Sequence, residues 1–297
     1  MAWQTTGDVP EFLAAAGGYL RSDRVRTPVI LTVTESMRVQ ARADPDGGAG
    51  ADAGADVSAG RPLYGWWTGQ DGAVAGAFMH TALSLPVLLT AVSAEAAAEL
   101  AAVTLAARPL TAVNAYQESA AAFGDAWRAA HGGRAEVDQR MRLYRLAALA
   151  WPDPGPDGAP RTATAADTAL LIAWFAAFQA EAHNSGPGED HAADVRDRLG
   201  YGGITVWETG GGPVSVACRT RQVAGMARVG PVYTPPELRG RGYASAVTAE
   251  VSQQALAAGA DEVLLYTDLA NPVSNSIYQR IGYQPVDDRL VLVFPAG

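Results

Sequence analysis

One cysteine, Cys218, stands in 297 residues, so no intrachain disulfide is available and the chain suits a reducing compartment. Long apolar runs are missing as well. The most apolar stretch, residues 169–178, is too short to span a bilayer and is closed by Gln179 and Glu181. Residues 1–10 are polar and lack the apolar centre of a secretory leader. The expectation is a cytoplasmic protein with no membrane partner. Positive charge is also scarce: the formal net charge is −9. Nucleic-acid binding needs a basic face, so no nucleic-acid partner is expected. An acidic surface favours a cationic substrate such as an amine, as a steering effect. His183, Asp190 and His191 have no tight ligand spacing, so no metal is expected. Cys218 lies in an alternating run with no histidine partner, which makes it a small core residue rather than a nucleophile.

What is present is organised around residues 228–245. They read as a strand, a corner stiffened by Pro235 and Pro236, and a helix entered through Gly240 and Gly242. Ala244, Val247, Val251, Ala255 and Ala258 recur at spacings of three and four, the stripe of an amphipathic helix. The first turn of a helix has unpaired amides and the positive end of the dipole, and so suits an anion. Glycines there let a phosphate approach the backbone, and Arg239 and Arg241 add positive charge. The run from Arg239 through Gly240, Arg241, Gly242, Tyr243 and Ala244 to Ser245 is therefore a phosphate cradle. It is not a Walker A loop, which would end in Gly-Lys-Ser/Thr. It is not a Rossmann fingerprint either, which wants Gly where Ser245 stands and an acid after the next strand, whereas Asp261 and Glu262 precede theirs.

The next segment strengthens the pattern. Residues 263–266 form a short apolar run of the kind found in a strand buried on both faces. Asn271 and Pro272 then make an N-cap and first helical position, and Gly282 is placed to end the helix. Asn271, Ser274 and Tyr278 share one face of it. Arg239-x-x-Gly242-x-Ala244 resembles the acyl-CoA pyrophosphate signature of the GNAT superfamily of N-acetyltransferases. The run from Asn271 to Tyr283 resembles that superfamily's second signature, in the right order and at the right distance.

Taken in order, the chain offers helices over residues 9–20 and 27–39 and a stretch of Gly, Ala and Asp over 41–60. That stretch cannot bury enough surface to order itself and reads as a disordered insertion. Strand runs at 63–68, 73–80 and 85–92, a helix from Ser93 to 107, a strand at 112–115, a helix at 118–130 and a strand at 137–149 follow. Residues 151–160 carry proline and glycine as a linker does. The second half repeats the order: a strand at 161–163, a helix capped by Asp167, a helix over 188–199, a hairpin from 204 to 220, then the cradle and a last strand at 290–294.

The expected fold class is α/β, an α+β arrangement with a mixed sheet. The resemblance implies two tandem GNAT-like acyl-CoA N-acyltransferase lobes of an actinobacterial type. A degenerate lobe would occupy 1–150 and a catalytic one 161–297. In the first lobe, Glu95 and Glu99 stand where a cradle carries glycine and arginine, and they would repel a diphosphate.

The resemblance further implies acetyl-CoA as co-substrate and acyl transfer to a small-molecule or peptide amine by direct attack. Cofactor contacts would come from Val232, Tyr233, Thr234, the cradle run, Asn271 and Ser274. Pro231, Pro235 and Pro236 weaken ladder pairing and leave backbone groups on Val232, Tyr233 and Thr234 for the pantetheine arm. An amide there would support the oxyanion. Tyr278 is the general acid for the thiolate, since a phenol near 10 stays protonated at neutral pH. Glu181, His183, Glu237 and a water chain all remain open as base. The other function class is a non-catalytic acyl-CoA-binding regulatory protein, which would have no need of Tyr278. Neither the acceptor nor the oligomeric state is legible.

Overall fold

The computed structural model describes residues 1–43, 61–182 and 191–295. The chain forms two compact units. The first takes Met1–Arg142, Asp268–Ala270 and the C-terminal run from Asp287; the second takes Leu143–Thr267 and Asn271–Val286. The second unit thus starts before the proline-rich run expected as a linker.

The first unit opens with β1 (Ala2–Thr6), α1 (Val9–Ser22) and α2 (Pro28–Ala43). Asp8 caps α1 by accepting from the Glu11 amide at 2.7 Å, and Pro10 sits in the first turn where no amide is needed. Of the run expected to be a disordered insertion, residues 41–43 end α2 and the rest lie outside the described residues. Strands β2 (Leu63–Thr68), β3 (Val74–His80) and β4 (Val87–Leu89) follow, then α3 (Ala94–Glu99), which widens into a π turn over Leu100–Thr104. Next come β5 (Ala112–Tyr116) and α4 (Gln117–His131). β1 to β4 are antiparallel neighbours in chain order, and β4 runs parallel to β5. Leu63 and Trp67 of β2 face a core with Trp3, Phe78 and Phe123, while Tyr64 stacks on Phe12 of α1 at 5.3 Å. β1 escaped the sequence reading because its residues are mostly polar; its Trp3 is buried and donates to Ala96 O at 2.8 Å.

β6 (Glu136–Leu146) passes from the first unit to the second at Leu143. The second unit continues with β7 (Ala159–Thr162), α5 (Thr168–Glu181), α6 (His191–Gly200), β8 (Ile204–Thr209), β9 (Gly212–Arg219) and β10 (Met226–Tyr233). α7 (Tyr243–Ala257), β11 (Glu262–Asp268), α8 (Pro272–Arg280) and β12 (Tyr283–Val293) complete the chain. Its strand order is β6-β11-β10-β9-β8-β7. β7 through β10 are antiparallel and β10 is parallel to β11. Strand, two helices, three strands, helix, strand, helix: the order of β1 to α4 recurs from β7 to α8. The last strand departs from expectation. From Arg289 to Val293, β12 pairs antiparallel with β5, so the end of the chain completes the first unit.

Two cores sandwich the second unit's sheet. α7 lies over Val214, Ala227, Val229, Val263 and Leu265, and α5 with α6 lies over Val206, Val216 and Cys218. α7 is more buried than a single stripe implies. Residues 245–249, with Tyr243, Val251, Ser252 and Ala255, are covered, whereas Ala258 is exposed. Burying Val247 and Val251 contributes about 1.5–3 kcal/mol each. Asp167 does not cap α5 with its side chain. It closes a box with Thr164 over the preceding turn and binds Arg161 through both oxygens at 2.8 Å.

Candidate active site

β10 stops pairing before it stops being a strand. Its parallel partners in β11 end at Arg228↔Leu264. Its antiparallel pairing with β9 is interrupted between Val229 and Val232 and resumes at Val232↔Ala217 and Tyr233↔Val216. Gly230 and Pro231 sit in that irregularity, where proline has no amide to give. Val232 and Tyr233 therefore pair on the β9 side and have no partner in β11 among the described residues. Thr234 is buried, and its hydroxyl lies 2.8 Å from that of Ser215. Its carbonyl accepts from Arg239 Nε at 2.9 Å, so the free backbone expected at Thr234 is reduced to its amide.

The corner follows from local chemistry. Pro235 and Pro236 end the strand, and Pro236–Leu238 form one turn of 3-10 helix. Gly240 at φ +76° and Gly242 at φ +82° both occupy the left-handed region, where a Cβ is costly. Gly242 is the N-cap of α7, and no side chain caps it. The first helical bond runs from Ala246 N to Gly242 O at 3.1 Å, so the amides of Tyr243, Ala244 and Ser245 point out of the helix start without intrahelical acceptors. An uncapped start on a 15-residue helix, entered by two glycines, fits a diphosphate. Pro156 forms one side of this corner: a Cβ at Gly242 would lie 3.7 Å from it. The proline-rich run is thus packed structure beside the cradle. Trp207 Nε1 fastens it by donating to Asp157 O at 2.9 Å.

The two cradle arginines are tethered. Arg239 Nη2 donates to both oxygens of Glu181 at 2.8 and 2.7 Å, and its guanidinium lies 5.9 Å from the Tyr233 ring centre. Arg241 donates to Glu237 O at 3.3 Å. Glu181, one of the open choices for base, is therefore an ion-pair partner at the end of α5. His183 and Asp190 lie outside the described residues. Glu237 is exposed. Among the described residues, no group of three or more His, Cys, Asp or Glu side chains is placed to hold a metal.

α8 forms as its sequence dictates. Asn271 Oδ1 caps the Ser274 amide at 3.0 Å, and Pro272 occupies the first turn. Tyr278 is buried one turn on. Its hydroxyl hydrogen-bonds the Ser274 side chain, and burial pushes its pKa up to about 12, the Ser274 bond opposing. It shares a cluster with Tyr243 and Ala246 of the cradle helix, against which Val232 also packs. Val232, the cradle helix and Tyr278 are thus brought together. Tyr233 turns to the other face, 6.1 Å from Trp174. Tyr144, which sequence reasoning missed, steadies α8. Its hydroxyl donates to Asn275 Oδ1 at 2.9 Å and accepts from Gln279 at 3.0 Å. A strand tyrosine 131 positions away in sequence carries no local signal of this.

In the first unit the corresponding corner is closed from within. Ser93 caps α3 on the Ala96 amide at 3.2 Å, in a first turn that also carries Glu95. Ser119 Oγ accepts from Val92 N at 3.0 Å and donates to its carbonyl at 3.1 Å. Tyr19 donates to Ala91 O at 3.2 Å.

A splayed parallel strand pair beside an uncapped glycine-entered helix is the arrangement of the GNAT fold. The FR47-like protein family matches residues 215–292, which span β9 to β12. A GCN5-related N-acetyltransferase from Sphaerobacter thermophilus is similar over 99% of this chain and 97% of its own, at 16% identity and TM-score 0.56. A Drosophila protein matches over 99% of both chains at 12% identity and TM-score 0.63. A GCN5-related N-acetyltransferase from Kribbella flavida covers 75% of this chain and 89% of its own at 20% identity and TM-score 0.52. A comparison with curated proteins finds no match. The family match is confined to residues 215–292, and the likeness to these structures shows that the chain has the GNAT fold. Among the described residues, no helix is long and apolar enough to cross a membrane.

Proposed function

We propose that the second unit transfers an acetyl group from acetyl-CoA to a primary amine by direct attack. The observation that carries this reading is the uncapped start of α7 behind Gly240 and Gly242, alongside the unpaired β11 side of Val232 and Tyr233. The amides of Tyr243, Ala244 and Ser245 hold the diphosphate, with Arg239 and Arg241 at its rim. Val232 and Tyr233 read the pantetheine amides as a strand would, and a backbone amide there supports the carbonyl oxygen as charge develops. Asn271 and Ser274 lie at the start of α8, flanking the same arm.

The acceptor attacks as the neutral amine. A carbon–nitrogen bond forms, the carbon–sulfur bond breaks, and the departing thiolate takes the Tyr278 proton. The proton of the acylated nitrogen leaves to solvent, from which Tyr278 is reprotonated. A phenol held near 12 remains fully protonated across neutral pH and is available as donor. The first unit, with its corner closed by Ser93, Ser119 and Tyr19, is assigned no acyl-CoA.

The test is calorimetric titration of the whole chain with acetyl-CoA, followed by thiol release with a library of amines. Binding together with amine-dependent release supports the assignment. Binding without release from any amine points to the regulatory alternative, and absence of binding removes both.

A further inference from the structure

The half-buried ring of Pro156 stands against the start of α7. A Cβ built on Gly242 would meet three of its carbons first, at 3.7, 3.8 and 3.8 Å. The ring therefore lies beside the residue whose carbonyl accepts the first helical bond, next to the outward amides of Tyr243, Ala244 and Ser245. The run that carries it is held at both ends. Before it, Ala147 N and Ala150 N donate to Gly282 O and Ile281 O at 3.1 and 3.0 Å. After it, Trp207 Nε1 donates to Asp157 O at 2.9 Å, and Ala159 pairs with Glu208 of β8. Gly158, at φ +101°, passes so close to β8 that an added Cβ would collide with Glu208 O. Between these anchors Pro152, Pro154 and Pro156 fix three φ angles and offer no amide. Asp153 and Asp157 are exposed, so what the run turns toward Gly242 is an apolar ring.

We propose that Pro156 is the apolar wall of the diphosphate site, shielding from water the bonds between phosphate oxygens and the α7 amides, and that Trp207 positions it. The proposal rests on the acyl-transfer reading above. It adds two residues that lie before 215–292, the segment matched by the FR47-like family.

Three features favour it. Arg239 and Arg241 are both exposed, so at the rim of the cradle their attraction to a diphosphate is screened by solvent. An amide–anion hydrogen bond strengthens where water is displaced, and a proline side chain supplies that cover with no donor or charge of its own. The cover is also ordered in advance: two anchors and three prolines leave the run little freedom to lose when a ligand arrives. Trp207 is built for the positioning role. Its indole is 7% exposed and shares a cluster with Tyr243, Ala246 and Val247 of α7, while its N–H grips the carbonyl next to Pro156. One side chain thus ties the wall to the helix whose start it covers.

The experiment titrates acetyl-CoA by calorimetry into the full chain and into Pro156→Gly, Trp207→Phe and the double variant. Pro156→Gly should melt within about 4 °C of the wild type. It should weaken acetyl-CoA binding by about five- to tenfold, and more at high salt, because an uncovered diphosphate is screened. Trp207→Phe removes the N–H and keeps a ring, and should weaken binding by about three- to tenfold. The double variant should bind no more weakly than the weaker single one, since the tryptophan acts through the proline. Competition by S-acetylpantetheine, which has no diphosphate, should be equal in all four proteins. Unchanged or tighter acetyl-CoA binding in Pro156→Gly overturns the proposal and leaves the acyl-transfer reading intact. Additive losses in the double variant, or equal losses for S-acetylpantetheine, do the same. Pro156→Gly decides alone should Trp207→Phe fail to fold. A wild type that binds no acetyl-CoA removes the acyl-transfer reading and the wall together.

Discussion

Arg239 and Glu181 face each other across the corner that opens α7, with both carboxylate oxygens within 2.8 Å of one guanidinium nitrogen. The arginine is held to Thr234 O as well, so its charge is oriented before any ligand arrives. Both side chains are nearly half exposed, at 46% and 47%. Such pairs contribute little to stability, about 0–1 kcal/mol. Glu181→Gln should leave the melting temperature within about 3 °C. It should release Arg239 toward the diphosphate and tighten acetyl-CoA binding by about two- to fivefold at low salt, less at high salt. Turnover should hold. A drop of about a hundredfold, with a lost acidic limb in the pH profile, would make Glu181 the base instead.

Gly242→Ala separates strain from occlusion. The new Cβ would lie 3.7 Å from Pro156, an ordinary contact, so the stability cost is that of a φ of +82°, about 1–2 kcal/mol. Acetyl-CoA affinity, measured by calorimetry on the folded variant, should fall by about tenfold or more, because the methyl group stands where the phosphate approaches the amides. Unchanged affinity would remove the diphosphate from this corner.

Cys218 gives a pH test. Burial lifts its thiol from the ordinary 9.0 to about 12, with Arg198 pulling the other way. The native state then keeps a proton that the unfolded chain gives up. The resulting stability is full below pH 9 and is lost as pH rises toward 12. Urea midpoints should decline across that window and decline less in Cys218→Ala. At pH 8 the native thiol should resist an aromatic disulfide reagent until the protein is unfolded. Rapid labelling of folded protein would contradict its burial.

The cradle was legible because its signals are local. Gly240, Gly242, Pro235 and Asn271 each fix a backbone state that neighbouring residues cannot disguise, and the structure puts each in that state. What sequence could not supply was pairing at a distance. The run from Leu290 to Val293 is apolar throughout, as a strand covered on both faces is, and nothing in it names β5 as its neighbour. The proline-rich run looked like a tether by composition, yet Trp207 and Gly242 give it something to pack on. Glu181 looked like a solvated helix end because its partner is 58 positions away.

Tyr278 carries the claim that this corner performs chemistry as well as binding. Tyr278→Phe removes one hydroxyl, keeps the ring against Tyr144 and Tyr283, and leaves the cradle untouched. The deciding measurement is single-turnover acetyl transfer by this variant, with acetyl-CoA affinity determined separately. Turnover should fall by roughly ten- to ten-thousandfold, the span for a lost general acid, while affinity stays within about twofold. Wild-type turnover in the variant would contradict the assignment and leave Tyr278 a packing residue of α8.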